Sequence, residues 1–168
     1  MRVTAGHSAG ARVAYQINVN VFVLDRNDGV ATGLGPADGS GTTMKDFAIQ
    51  LTHRPGELAR VAAVLSHRGV NLKSVAGLAI GNHVIIRLIP DDVEATRAAF
   101  ESAAIRFEES EVVPLVLEHR AGELAMVSVR LAEGGVNLRA IYLMSIAEGL
   151  VELAIVPDNP SYVKRLLQ

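Results

Sequence analysis

The chain carries one sequence pattern twice, and this repeat limits the folds open to it more than any other feature. Residues 51–75 read LTHRPGELARVAAVLSHRGVNLKSV, and residues 117–141 read LEHRAGELAMVSVRLAEGGVNLRAI. The two segments align without a gap at an offset of 66 residues, and 13 of their 25 positions are identical. A spacing of 66 residues between the two copies approaches the size of a small domain. We therefore predict two tandem copies of one folding unit, an arrangement that usually carries two equivalent sites.

Composition indicates a globular protein and excludes several kinds of site. Of the 168 residues, 49% are apolar, which is enough for one substantial core or two small ones. The formal net charge is −2, from 16 basic and 18 acidic side chains without a basic block, so we expect no nucleic-acid partner. The sequence has no cysteine, which excludes a disulfide framework, thiolate metal ligands and a cysteine nucleophile. We predict no metal and no cofactor.

The N-terminal part of the sequence shows no targeting or membrane-spanning pattern. Asn18 and Asn20 interrupt the apolar run in this region. The run therefore provides neither the core of a signal peptide nor the roughly 20 apolar residues of a spanning helix. We expect a cytoplasmic protein with no membrane partner.

The hydrophobic period switches in a fixed order along the first copy. The predicted elements are a strand at 47–51, a helix over 58–65, strands at 70–80 and 83–89, a helix over 93–105 and a strand at 107–113. Gly69 stands where a helix needs a left-handed C-terminal residue, and the Gly81 and Asn82 pair is typical of a turn. The β-α-β-β-α-β order indicates a ferredoxin-like α+β fold, with one antiparallel sheet and both helices on one face.

The second copy repeats this order until the sequence ends inside its last helix. Its predicted elements are a strand at 113–118, a helix over 124–133 and strands at 136–146 and 150–156. The counterpart of the final strand is missing, so we predict a second sheet that lacks its own last strand and has an unpaired edge. The predicted organisation is an N-terminal extension at 1–43, a first ferredoxin-like module at 44–113 and a C-terminally short second module at 114–168.

A further strand pattern precedes both copies. Apolar residues alternate over 13–24, and residues 28–43 contain five glycines, which is typical of a flexible linker. One interpretation is that the strand at 13–24 fills the free edge of the second sheet, from the same chain or from another. The other is that residues 1–43 are a poorly structured extension, or precede a true start at Met44.

The repeated turn and helix resemble the ACT domain, a small regulatory module that binds amino acids. The resemblance rests on the His-Arg-Pro-Gly-Glu-Leu-Ala turn of the first copy and on Gly-Val-Asn-Leu in both copies, and it covers about residues 45–168. In family members the turn commonly begins with Asn or Asp, followed by Arg or Lys and then Pro-Gly. The start of the next strand commonly reads Gly, then Val or Ile, then Asn-Ile. Here His53 and His119 stand in place of Asn or Asp, which leaves the ligand unassigned. Ala121 replaces the proline in the second copy, which indicates two unequal sites.

The resemblance implies specific ligand contacts at the junction of two modules. The implied contacts are His53, Asn71 and the backbone of Leu72, with His119, Asn137 and Leu138 in the second copy. The turns at Gly56 and Gly122 support ligand binding independently, because a glycine turn at a helix N-terminus presents free N–H groups and the positive end of the helix dipole to a carboxylate. Arg54 and Arg120 could also face a ligand carboxylate or a partner.

Each candidate also has a purely structural interpretation. Asn71 and Asn137 follow a helix-stopping glycine and could satisfy backbone groups of the turn. The two arginines could simply be solvated. His53 and His119 could be ligand contacts, pH-sensitive groups or ordinary turn residues.

These patterns favour a regulatory small-molecule sensor without catalysis of its own. We expect it to bind an amino acid or a related carboxylate at module interfaces and to form a homodimer. An enzyme is disfavoured because the repeated histidines have no repeated acid–base companion beyond Glu57 and Glu123, and no nucleophile or dinucleotide motif is present. Residues 58–75 are also similar to the N-terminal module of acetolactate synthase small subunits. The alternative is therefore a regulatory subunit of an amino-acid biosynthetic enzyme such as acetolactate synthase, bound to a catalytic partner.

Overall fold

The computed structural model describes residues 21–24, 31–34 and 43–168. Their elements are β1 (Val21–Leu24), β2 (Ala31–Leu34), β3 (Lys45–Thr52), α1 (Glu57–Ser66), β4 (Leu72–Ile80), β5 (His83–Pro90), α2 (Val93–Ser102), β6 (Glu108–Glu111), β7 (Val113–Glu118), α3 (Glu123–Glu133), β8 (Leu138–Ala147), β9 (Leu150–Pro157) and α4 (Pro160–Leu166). The predicted α+β class with ferredoxin-like modules is confirmed. Among the described helices, none is long and apolar enough to cross a membrane.

The first module comprises β3 to β6 with α1 and α2. Its four strands form an antiparallel sheet in the order β4-β5-β3-β6. Both helices cover one face of this sheet, because Val61 of α1 and Phe100 of α2 join the core of strand residues around Phe47. The rings of Phe47 and Phe100 lie 5.9 Å apart in an edge-to-face arrangement, a geometry that aromatic pairs prefer.

The last strand of the first module is shorter than the sequence predicts. A single strand over 107–113 is wrong, because β6 covers only Glu108–Glu111 and β7 of the next sheet begins at Val113. Phe107 precedes β6 and packs its ring 5.3 Å from that of Phe47. Val112 donates its N–H to the carbonyl of Met44 at 3.0 Å. The segment predicted as one strand therefore belongs to two different sheets, and the chain passes from one to the other at Val112.

The second module comprises β7 to β9 with α3 and α4. Strands β7, β9 and β8 pair antiparallel in that order. Helices α3 and α4 cover one face, where Leu131 and Val163 pack with Leu115 and Ile155 in a second core. The second module thus repeats the architecture of the first through its fifth element, α4.

The edge of β7 is paired with the N-terminal part of the chain. β1 runs parallel to β7, with Phe22 opposite Leu115 and Val23 opposite Val116, and β2 pairs antiparallel with β1. β2 falls within the segment that the sequence predicts as a linker. Of the strand predicted at 13–24, residues 13–20 lie outside the described residues.

The two modules contact each other through their open faces, by which we mean the sheet faces that carry no helices. A third apolar cluster joins them, formed by Ile89, Val112, Tyr142, Ala154 and Val156. At the rim, Lys164 of α4 lies 2.6 Å from Glu111 of β6. This packing leaves β4 and β8 as outer strands of their sheets.

Candidate ligand site

Each module begins its first helix at a glycine turn without a side-chain cap. Gly56 precedes α1 with φ 91°, and Gly122 precedes α3 with φ 97°. Both values lie in the left-handed region, which glycine adopts without steric cost. The first N–H groups of a helix have no partner within the helix, and the helix dipole makes this end positive. Both turns can therefore receive an anionic group.

The two predicted histidines are fixed through their backbone. His53 donates its N–H to the carbonyl of Asn82 at 2.9 Å, and His119 donates to the carbonyl of Gly149 at 2.7 Å. Both residues are exposed. Each histidine is therefore attached to the tip of the neighbouring hairpin, while its side chain is accessible to a ligand.

The two predicted arginines form ion pairs within their own turns. Arg54 donates from Nε to Oε1 of Glu57 at 2.6 Å. The hydrogen bond from Arg54, followed by one from Arg60, lowers the pKa of Glu57 below its ordinary value. Arg120 lies between Glu118 at 2.6 Å and Glu123 at 2.5 Å. The charge of each arginine is thus balanced inside the turn.

The two predicted asparagines each join an aspartate that follows the next strand. The backbone N–H of Asn71 donates to Oδ1 of Asp91 at 2.9 Å, and its Nδ2 donates to Oδ2 at 3.0 Å. Asn137 donates from Nδ2 to Oδ2 of Asp158 at 3.3 Å. Partial burial raises the pKa of Asp91, but the hydrogen bonds from Asn71 outweigh this and hold that pKa below its ordinary value. Asp91 is therefore a carboxylate at neutral pH.

Sequence reasoning did not identify Asp91 or Asp158 as site residues. The signal was present, since Pro90 and Asp91 recur as Pro157 and Asp158 at the same place in the second copy. Each Pro-Asp pair closes a strand beside the asparagine of its module. The pair Asn-Asp, rather than asparagine alone, is the repeated polar feature at this end of the module.

The structure places the predicted site residues at opposite ends of each module. β3 and β4 run in the same direction, because each pairs antiparallel with β5. Thr52 lies opposite His83 and Leu72 lies opposite Pro90, which are the two ends of β5. The ten residues of α1 separate the turn at Gly56 from Asn71, a helix length of about 15 Å. One module therefore does not bring its glycine turn and its asparagine into the same site.

The second module has the same separation. Glu118 lies opposite Leu150, whereas Leu138 lies opposite Pro157 at the other end of β9. A ligand that touches both a glycine turn and an asparagine therefore needs residues of two modules.

The outer strands β4 and β8 carry exposed apolar side chains. On β4 these are Leu72, Val75, Leu78 and Ile80, and on β8 they are Leu138, Ile141, Leu143 and Ile146. Leu72 and Leu138, which occupy equivalent positions, are each 40% exposed. Unpaired outer strands that expose apolar side chains can pair with a strand of another chain.

Comparison with known sequences does not assign the chain to a family. No protein-family model matches the sequence. The chain is 29% identical over 169 residues to Protocadherin alpha-7 of Mus musculus, which covers 94% of this chain. The chain spans only 18% of the length of that relative. Cadherin domains are β-sandwiches, whereas helices cover one face of both sheets here, so this similarity carries no conclusion about the fold.

Comparison with solved structures identifies the fold. Protein BT0572 from Bacteroides thetaiotaomicron superimposes with a TM-score of 0.66 at 23% identity, over 74% of this chain and 86% of that chain. The regulatory subunit of aspartate kinase from Thermus thermophilus gives a TM-score of 0.56 at 16% identity, over 74% and 90% of the two chains. Aspartokinase alpha and beta subunits give 0.52 at 18% identity, over 74% and 90%. These are ACT-domain proteins, and the chain has the tandem ACT-domain fold that its repeated turns predict.

Proposed function

We propose that the chain is a regulatory sensor that binds an amino acid or a related carboxylate in sites shared between two modules, without catalysis of its own. One observation carries this proposal. Each module presents an uncapped glycine turn at one end of its sheet and, at the other end, an Asn-Asp pair beside the start of its outer strand. Two such edges laid antiparallel would bring the turn of each module beside the Asn-Asp pair of the other. Each edge contact would then form two sites.

The chemistry of such a composite site suits the zwitterion of an amino acid. The N–H groups that follow Gly56 would bind the ligand carboxylate. The carboxylate of Asp91 and the amide oxygen of Asn71 would accept hydrogen bonds from the ligand ammonium. Because the pKa of Asp91 is held below its ordinary value, this end of the site remains negative at neutral pH. His53 and His119, exposed beside the turns, are the proposed contacts that distinguish one ligand side chain from another.

We further propose that a second copy of the chain supplies the opposing edge. The outer strands β4 and β8 have no strand partner on their free sides among the described residues. Antiparallel pairing would satisfy these backbone groups and cover the exposed leucine and isoleucine side chains of both strands. A homodimer of this kind would bind ligand only when the edges are in register, so ligand binding would favour one arrangement of the modules.

A catalytic partner is the second candidate for the output of this sensor. The chain shares its fold with a protein described as the regulatory subunit of aspartate kinase, which supports a role in controlling a separate enzyme. The acetolactate synthase alternative belongs to the same class. Affinity purification of the tagged chain from its source cell distinguishes the two outputs: a stoichiometric enzyme favours the subunit, and the chain alone favours an independent sensor.

Thermal unfolding against each of the twenty amino acids at millimolar concentration tests ligand binding. A ligand at about 100 times its Kd stabilises the folded state by about 2.7 kcal/mol, which raises the Tm by several degrees. We expect a shift for one amino acid or for a few related ones. The double variant His53→Ala/His119→Ala should reduce this shift, whereas the matched control His67→Ala/His83→Ala, at exposed positions that do not recur, should retain it. The absence of a shift with any amino acid would contradict the proposal.

A further inference from the structure

A buried polar network connects the two modules. The carboxylate of Asp46 on β3 is 0% exposed. It accepts a hydrogen bond from the hydroxyl of Tyr142 on β8, 96 residues away, and another from the guanidinium of Arg87 on β5. Tyr142 is 4% exposed and belongs to the apolar cluster between the open faces. We call Asp46, Arg87 and Tyr142 the inter-module network.

This network is poorly suited to act only as a source of stability. Removing a carboxylate from water is costly, and its replacement by apolar side chains of similar volume is often neutral or stabilising. The network is also incompletely satisfied, since Nε of Arg87 is buried and has no hydrogen-bond partner among the described residues. A buried polar network of this type is better explained by the selection of one packing arrangement.

The internal repeat shows that the network is present only once. At the offset of 66 residues, Asp46 corresponds to Val112, and Tyr142 corresponds to Ala76. Arg87 corresponds to Ala154, after the one extra residue in the second hairpin. The carboxylate of Asp46 and the guanidinium of Arg87 therefore have no counterpart in the second copy, and the phenol of Tyr142 has none in the first.

We infer that the inter-module network makes the two open faces selective for each other, so that each first module pairs with a second module and not with another first module. Two first modules placed face to face would bury two Asp46 carboxylates opposite Ala76, without a hydroxyl donor. Two second modules would bury two phenols without the carboxylate. The pairing seen within the chain adds the hydroxyl of Tyr142 to the guanidinium of Arg87, which already lies on the first module, so the carboxylate has two donors. This selection does not depend on any ligand.

The test measures how many kinds of particle the chain forms. In the variant Asp46→Val/Arg87→Met/Tyr142→Phe the open faces are apolar on both modules, and the chain should still fold. We expect size-exclusion chromatography with light scattering to give one mass for the unmodified chain, a fixed multiple of 17.8 kDa. The variant should give two or more masses whose proportions change with concentration, because open faces of different chains now pair. If the folded variant gives a single mass equal to that of the unmodified chain, the inference is overturned.

Two further variants keep the test decisive. Tyr142→Phe removes one oxygen atom and retains the ring, so it provides the same readout if the triple variant does not fold. It should also produce an additional mass, and a single unmodified mass would overturn the inference. The matched control is Glu111→Gln, which removes the negative charge from the more exposed ion pair with Lys164 between the same modules. It should leave one mass. Additional masses in this control would also overturn the inference, since any weakened contact would then have the same effect.

Discussion

The two modules are alike along their outer edges and unlike across their open faces. Gly56 and Gly122 begin equivalent helices with φ values of 91° and 97°, and both modules place an asparagine before their outer strand. On the open faces, by contrast, Asp46 of the first module corresponds to Val112, which directly precedes β7 of the second. The edges have kept the same chemistry, as expected for two copies of one binding surface. The faces have become complementary, as expected for surfaces that bind each other.

The largest expected loss of stability comes from a substitution on the open faces. Asp46→Ala leaves the buried part of Arg87 without its carboxylate and should lower the free energy of unfolding by about 3 kcal/mol. The equivalent change in the second copy, Val112→Ala, removes only apolar contacts and should cost about 1.5 kcal/mol. Urea denaturation of both variants measures the difference. Equal losses would mean that the two faces are not functionally distinct.

The next effect tests whether the two edges are equivalent. Gly56→Ala and Gly122→Ala place a Cβ where no atom lies within 4 Å, so their cost comes only from the left-handed backbone, about 1 to 2 kcal/mol each. Thermal unfolding should show equal losses in the two variants. A loss confined to one variant would show that the glycine turns differ in the two modules.

Alkaline pH should reveal the buried phenol of the second open face. Burial, followed by the hydrogen bond to Asp46, raises the pKa of Tyr142 above its ordinary value of 10.0. The protonated hydroxyl of Tyr142 therefore contributes fully to stability below pH 10. As the pH rises further this contribution is lost, and the free energy of unfolding falls by at most about 1.4 kcal/mol per pH unit.

Unfolding free energies measured between pH 9 and 11 test this contribution. Tyr142→Phe should reduce the decline in stability, whereas Tyr162→Phe, in α4, should retain it. An unchanged decline in Tyr142→Phe would contradict the assigned environment of the phenol.

The smallest effect concerns the Asn-Asp pairs. Asn71→Ala removes a hydrogen bond of 3.0 Å to a carboxylate and should cost about 1 kcal/mol. Asn137→Ala removes one of 3.3 Å and should cost less. Urea denaturation of each variant provides the comparison, with Asn82→Ala in the first hairpin as a control for loss of an exposed amide side chain. A greater loss in the second module would reverse the expected order.

The order of elements could be predicted from the sequence because its signals are local. Gly69 and Gly81 have φ values of 71° and 58°, at the helix stop and the hairpin where their left-handed conformation is expected. The boundary at Val112 could not be predicted, because two strands of different sheets follow each other without a turn residue between them. The spacing of apolar residues predicts which residues are buried, but it does not predict the sheet to which each strand belongs.

The candidate site was only partly accessible to sequence reasoning. The repeat identified the turns and the asparagines, but their separation depends on strand direction, which follows from pairing with β5. The contact of Asp46 with Tyr142 joins residues 96 positions apart. Such a tertiary contact leaves no periodic signal, and in a duplicated sequence it appears only as a difference between the copies.

Mixed dimers of two defective chains test the central claim, that each site takes its turn from one module and its asparagine from a module of another chain. One chain carries His53→Ala/His119→Ala, the other carries Asn71→Ala/Asn137→Ala, and the titrant is the amino acid that gives the largest shift in Tm. Each variant alone should bind weakly. After denaturation and joint refolding of equal amounts, isothermal titration should show full affinity at about a quarter of the sites, because half of the dimers are mixed and each has intact sites at half of its positions. Recovery of no full-affinity sites would place each site within a single chain and contradict the account.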